Sequence, residues 1–492
     1  MKNFHLNTLD QTMLRIYVRH LHIFQFPDPQ KRDEAFQTLR GSFFLTLRQL
    51  PFLAGFIQPP TEQEGRLYLK YSEEISEELT GGLFTLNIAT TENDELRFDN
   101  LEAEGFPPSK LSRDAFCPKL LKNHPGLDDP FAEGLVSFKK DIAVPVLAAQ
   151  ANFVHGGLIL SVYANHSVLD GTGVAQFYRI WSSHISSDNH LKAAGIHAEP
   201  PVPPVLGLSG VASEETQRHA LDEFGKLSEP EDCPEVRYPG TASNTPKLRS
   251  TPYDLSARVF VFSSSTILKL TSELSSLTNA RISSFTALLT LLWTQITLAR
   301  ASCLEEKNIQ ETKLTMAFDH RKNLKEYIDD TYLGNCATGI TTSSPLAAML
   351  SSSSKPITSD HLAPIAQCIS AALSSTTLNW LKPRLSLFSR TPNPHHLSLD
   401  IDIFNGPDLF VTSWMNIGTD CVWDIPGVVG QAPKAIRKPQ SKTEGNIHIL
   451  PRLKMATPDA PFEVMVCLEE GEMGRLAKRL EDERWVDKIV SA

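Results

Sequence analysis

No two of the seven cysteines stand at C-x-x-C spacing, which excludes a zinc ribbon and a thioredoxin-like redox pair. Dispersed and odd in number (117, 233, 303, 336, 368, 421, 467), they read as buried apolar thiols of a reducing compartment. The chain has no G-x-x-x-x-G-K-[ST] phosphate loop, and Gly171-Thr172-Gly173 lacks the third glycine of a dinucleotide fingerprint. In Gly207-Leu208-Ser209-Gly210 the second glycine comes one residue too early for a nucleophile elbow. With H-E-x-x-H also missing, the sequence supports neither an NTPase, nor an elbow hydrolase, nor a zinc protease.

Long apolar runs are missing too. The most apolar stretch, Phe285 to Ala301, carries Thr286, Thr290, Thr294, Gln295, Thr297 and Arg300. Its threonines recur at helical spacing, so it reads as a buried amphipathic helix and not a membrane span. The start, MKNFHLNTLDQTMLR, lacks the apolar core of a secretory signal, and the end, KIVSA, is not a peroxisomal address. Positive charge is in deficit, with Lys+Arg 47 against Asp+Glu 57 and a net charge of −10. That balance argues against a nucleic-acid binder, which gains affinity from a cationic surface. A soluble cytosolic protein is expected.

What the sequence does hold is ordinary globular material, 41% hydrophobic and 21% charged over 492 residues. At roughly 150 residues per domain, that length suggests two to four domains. Apolar residues at Phe36, Leu39, Phe43, Leu47 and Leu50, ended by Pro51, predict a helix. Val146–Val154 and Gly157–Tyr163 read as two strands joined at Gly156-Gly157. After them come NHSVLDGTG and a helical stretch, Val174–Trp181. From about Ser186 to Tyr253, proline density denies regular structure, apart from a helical island at Glu214–Leu227.

Beyond that break, Val259–Phe262 predicts a strand, and Ser265–Leu277 and Ser283–Arg300 predict helices. The Ser-rich stretch Ser343–Asp360 reads as a surface loop. Strands are expected at Leu409–Trp414, Ile447–Leu450 and Phe462–Leu468, and a helix at Glu472–Leu480. The organisation is mixed α/β in two lobes. Residues 1–200 make an N-terminal lobe, 201–253 a Pro/Ser-rich crossover and 254–492 a C-terminal lobe.

The chemically suggestive segment is His166-Ser-Val-Leu-Asp170-Gly171-Thr172-Gly173. Histidine is the side chain best suited to remove a proton near neutral pH. Leaving a strand for a Gly-bearing loop, His166 would be presented at a cleft, and Asp170 would orient the ring or anchor the loop through an arginine. On spacing alone a structural histidine with a turn-forming Asp-Gly fits as well. Asn165-His166-Ser167 is also a glycosylation sequon. A secreted form would risk a glycan in this segment, which again favours the cytosol. His395-His396 sits in a TPNPHH turn and His155 before Gly156-Gly157, and both are expected to be structural.

Strand, then His-x-x-x-Asp-Gly-x-Gly, resembles the active-site motif of the BAHD acyl-CoA-dependent acyltransferases. NHSVLDGTGVAQFYRIW is similar to their fungal trichothecene 3-O-acetyltransferase-like branch. The resemblance runs in order along most of the chain. It includes LDQTMLRIYVRHLHIFQFPD, LTLRQLPFLAG, Ser283-Ser284-Phe285 to Trp293, Asp319-His-Arg321 with Tyr332-Leu-Gly-Asn335, and Val411-Thr412-Ser413-Trp414. One signature departs from the family: where D-F-G-W-G is expected stands Asp424-Ile-Pro-Gly427-Val-Val-Gly430, with Asp420-Cys-Val-Trp423 as a second placement.

The resemblance implies a chloramphenicol-acetyltransferase-like fold with two lobes, mixed sheets and a long crossover loop. It implies transfer of an acyl group, acetyl by default, from acyl-CoA to a hydroxyl of a small secondary metabolite, without a metal, by a monomer with no nucleic-acid or membrane partner. His166 would be the base, and Asp170 would be held by Arg321. The oxyanion would meet Thr412 and Trp414. Coenzyme A would meet Arg281, Ser283, Ser284 and Ser413, with Lys434, Arg437 and Lys438. Gly171, Gly173 and Asp424 would be structural. Two other classes stay open: a relative using His166 for amide formation, hydrolysis or cyclisation, and a non-catalytic binding protein on the same scaffold.

Overall fold

The computed structural model describes residues 1–492 except 61–64, 89–93, 134–141, 194–212, 228–232, 239–244, 352–355 and 456. Its first half supplies β1 (Tyr17–Gln25), α1 (Arg32–Gln49), β2 (Phe84–Ile88), β3 (Leu147–Val154), β4 (Gly157–Asn165) and α2 (Gly171–Ala193). After these come α3 (Glu214–Lys226), β5 (Leu255–Phe262), α4 (Ser264–Thr278), α5 (Ser284–Ala299), β6 (Glu311–Asp319) and β7 (Ala337–Pro345). The chain closes with α6 (Ser359–Ser375), α7 (Leu378–Arg390), β8 (Leu409–Ser413), β9 (Ala435–Arg437), β10 (Asn446–Ile449), β11 (Phe462–Glu469), α8 (Glu470–Asp482) and β12 (Lys488–Ser491).

Two mixed sheets organise these elements. One has the order β9-β1-β4-β3-β2, the other β7-β6-β8-β10-β11-β5-β12. The second sheet shows period-two alternation. Phe462, Val464, Val466 and Leu468 of β11 face a helical layer with Leu288, Trp293 and Leu476, while Met465 and Cys467 join the core of the first sheet. Thr412, Trp414, Asn446 and His448 share that inward phase, since β8 and β10 pair Phe410 with Asn446 and Thr412 with His448. Both sheets therefore contribute to the space between them. The first sheet is completed by a strand from the far end of the chain, with Ala435 opposite Ile23 and Arg437 opposite Leu21.

Helices α4, α5, α3 and α8 form where the apolar spacing predicts them, and three readings change. Helix α5 is buried on every side from Thr286 to Ala299, so it is not amphipathic in its surroundings. Its threonines enter the core because each hydroxyl bonds one turn back: Thr290 to the Thr286 carbonyl, Thr294 to Thr290 and Thr297 to Trp293, all at 2.8 Å. Ser343 and Ser344 are not loop but the end of β7, opposite Lys313 and Thr312, and a helical turn, Leu346–Leu350, follows. Helix α2 continues to Ala193, past the expected break at Ser186. The proline-rich 198–210 stretch lies outside the described residues. Among the described residues, no helix is long and apolar enough to cross a membrane.

Candidate active site

His166 is the first residue beyond β4, and both of its backbone polar groups are held. Its N–H donates to the Ile16 carbonyl at 2.8 Å, and its carbonyl accepts from the Asn335 amide at 2.8 Å. The ring is half-buried; Nδ1 is shielded from solvent without a hydrogen-bond partner among the described residues. A fixed backbone thus carries an uncommitted imidazole, the arrangement a general base requires.

Asp170 does not touch that ring. It caps α2, accepting from the Gly173 N–H at 2.8 Å, and takes the Cys336 N–H at 2.9 Å. Arg321 grips it bidentately, with both N···O distances 2.9 Å. Burial works against the Arg321 charge, but Asp170 outweighs it, and the guanidinium holds its proton more firmly than usual. Arg321 also donates to the Tyr332 and Gly334 carbonyls. The Asp-x-Arg and Tyr-x-Gly-Asn segments therefore converge on the helix that follows His166. Gly173 is needed for this approach, because a Cβ there would lie 1.9 Å from the Leu333 carbonyl oxygen.

A second buried pair, which sequence reading missed, supports the same loop. Asp10 and Arg218 are both fully buried and hydrogen-bonded to each other. Arg218, on α3, donates to the Val168 carbonyl at 3.0 Å, and Asp10 accepts from Asn335 through its backbone N–H and its side chain. Glu214, one turn before Arg218, receives the Leu333 and Gly334 N–H groups. The only sequence signal for this set was a helical island in proline-rich surroundings.

Thr412 lies near the end of β8 and Trp414 just beyond it, both in the phase that faces the first sheet. The Trp414 ring meets His20 of β1 edge-on at 4.5 Å and His448 of β10 at 5.3 Å. Just beyond, Ile417 packs on Gly171, whose Cβ position lies 3.1 Å from its Cδ1. That brings the T-S-W strand to the start of α2. Burial pushes His20 down to about 3 and His448 well below its usual range, so both imidazoles are neutral.

The expected coenzyme residues differ in their surroundings. Arg281, Ser413 and Lys434 are exposed, and Ser284 is half-buried. The exposed Ser283 caps α5, its hydroxyl accepting from the Thr286 N–H at 3.0 Å. Arg437 corrects expectation: it is buried, paired with Glu463 at 2.7 Å, and donates to Gly105, Phe106 and Ile436 carbonyls. All of its N–H groups are committed, leaving none for a phosphate. The altered D-F-G-W-G region packs on β1, with Trp423 buried 5.5 Å from Trp181 and Asp424 half-buried. Its surviving Gly427 and Gly430 both hold positive φ, +83° and +79°, where glycine is favoured. His396 is exposed, His395 is half-buried and His155 is exposed at its turn. Among the described residues no group of three or more His, Cys, Asp or Glu side chains is placed to hold a metal.

This geometry has relatives. Acyltransferase easC of Emericella nidulans is 24% identical, over 96% of this chain and 92% of that protein. Eremophilane O-acetyltransferase prx11 of Penicillium rubens is 26% identical, over 79% and 78%. The crystal structure of Fusarium sporotrichioides TRI101 with coenzyme A and T-2 superposes with a TM-score of 0.73 at 18% identity, covering 100% of both chains, which shows a shared fold. The Trichothecene 3-O-acetyltransferase-like N-terminal domain model matches residues 16–184, and the Transferase family model matches 117–483. The chain belongs to the Transferase family and carries a trichothecene 3-O-acetyltransferase-like N-terminal domain.

Proposed function

We propose that this protein moves an acyl group, acetyl by default, from acyl-CoA to a hydroxyl of a small secondary metabolite, with His166 as the general base. The observation that carries the reading is the contrast at the loop after β4. Asp170 and Arg321 grip each other, and Asn335 and Arg218 hold the His166 and Val168 carbonyls, while the His166 ring is bonded to no described residue.

With both substrates bound, His166 removes the acceptor's hydroxyl proton as its oxygen attacks the thioester carbonyl. The proton then leaves with the coenzyme's thiolate. Among the described residues no Ser or Cys is paired with His166, which favours direct transfer. Negative charge develops on the carbonyl oxygen and needs preset donors. The Thr412 hydroxyl and Trp414 indole N–H suit that role, as neither is engaged by a described residue. Asp170 and Arg321 position the loop and touch no reacting atom. Arg281 and Lys434, exposed and without ion-pair partners among the described residues, suit the coenzyme's phosphates. The protein acts as a cytosolic monomer with no nucleic-acid or membrane partner, in keeping with its net charge of −10.

The test is release of free CoA thiol from acetyl-CoA with a panel of terpenoid and polyketide alcohols. Release by the native protein and none by His166→Ala supports the reading. Reaction of an acceptor without any acyl-CoA, together with no acyl-CoA binding in calorimetry, overturns it.

A further inference from the structure

A buried guanidinium with incomplete pairing is costly to keep, so its persistence calls for a partner. Arg19 of β1 is 2% exposed and lies opposite Tyr163 of β4. Its Nη2 stands 3.6 Å from Glu133, too far for a hydrogen bond, and its Nη1 is buried without an acceptor among the described residues. Glu133 is engaged more closely by Arg113. One carboxylate therefore serves two guanidiniums.

Lys438 adds a third cation. It follows Arg437, which pairs with Leu21, two residues from Arg19. Its ammonium bonds to no described residue. Burial and the Arg19 charge push it down to about 7, against the pull of Glu133. Two more buried polar atoms in this neighbourhood, the Tyr163 hydroxyl beside Arg19 and His448 Nδ1, meet no partner of good hydrogen-bond geometry among the described residues. Burial first, then the Lys438 and Arg19 charges, push His448 well below its usual range, and His448 abuts Trp414 at 5.3 Å. The nearby Glu463 is taken by Arg437. Among the described residues, basic groups outnumber carboxylates here, between the two sheets and beside the residue assigned to the thioester oxygen.

We propose that Arg19 and Lys438, with Tyr163 and His448, form a carboxylate-binding subsite, so that one of the two substrates carries a carboxylate. This rests on the acyltransferase reading. The carboxylate has two sources: the far end of a dicarboxylic acyl group, or an acid group on the acceptor alcohol. The coenzyme's own phosphates are a poorer match, because Arg19 is almost wholly enclosed while Arg281 and Lys434 are exposed.

The test uses full-length His166→Ala, which binds without turnover. Acetyl-CoA and malonyl-CoA are titrated by calorimetry, and cyclohexanecarboxylate and cyclohexanemethanol are titrated with and without saturating acetyl-CoA. The subsite requires the charged member of at least one pair to bind about tenfold tighter or more. A malonyl-CoA preference assigns the carboxylate to the acyl group, and a preference for the free acid assigns it to the acceptor. Arg19→Met erases the preference and Glu133→Gln enlarges it; if Arg19→Met fails to fold, Lys438→Met takes its place. Equal affinity within both pairs, or a preference that survives the Met variants, overturns the subsite. If neither thioester binds, the acyltransferase reading fails, and the acid–alcohol pair on the protein alone still decides the subsite.

Discussion

The side chain of Asn335 holds the carbonyl of His166 at 2.8 Å, across 169 positions of sequence. The same amide group reaches Asp10 at 2.9 Å, and Asp10 is paired with Arg218. His166 is therefore positioned from behind, through its backbone, by residues from three distant segments. Asn335→Ala removes the clamp without touching the ring. It should lower kcat well beyond any change in KM and cost about 1–3 kcal/mol of stability through the unsatisfied buried groups left behind. Steady-state kinetics with urea unfolding checks both numbers.

Arg321 and Asp170 are enclosed and bidentate. Removing one partner strands the other's charge, so Asp170→Asn should destabilise the fold by about 3–5 kcal/mol. Double replacement of both residues by apolar groups should recover part of that loss. A double-mutant cycle in urea reads the coupling.

The two glycines after the motif should differ sharply. At Gly173 a methyl group meets a backbone carbonyl at 1.9 Å, whereas at Gly171 it meets the end of the Ile417 side chain at 3.1 Å. Gly173→Ala must displace α2 from the Leu333 turn, so loss of activity and a drop of about 1–3 kcal/mol are expected. Gly171→Ala should stay near native in melting temperature.

His320 gives a pH signature. Burial first, and Arg384 second, hold its pKa down to about 3, against about 6.5 in the unfolded chain. Between those values the unfolded state binds a proton that the native state does not. This residue's contribution to stability is therefore intact above about pH 6.5 and is lost progressively as pH falls toward 3. His320→Gln, which keeps a polar partner for Thr338, should flatten the stability–pH curve by about 1.4 kcal/mol per pH unit within that window. Urea midpoints from pH 4 to 7 test it.

Local patterns carried much of this structure. The spacing of Ile267, Leu270 and Leu274 marks one face of α4, and the strand–His–Gly loop–helix order around His166 stands as read. What escaped were relations set by pairing over long separations. Nothing near Asp10 in sequence announces Arg218, 208 positions away. Ser343 and Ser344 look like loop because their composition is polar, yet they sit on the edge strand of a sheet, where polar side chains are suited. Arg437 looks like a surface cation, because three strand residues next to a proline give no periodicity from which to read burial.

The return of residues 435–437 to the edge of β1 has a consequence for synthesis. The amino-terminal sheet lacks its outermost strand until Ala435–Arg437 have been translated, long after the rest of that sheet. Until then Leu21 to Ile23 present an open edge, the kind of exposure that invites mispairing during biogenesis. The half that holds His166 therefore cannot finish its sheet from its own residues, and cutting the chain before Ala435 would leave the edge at β1 open.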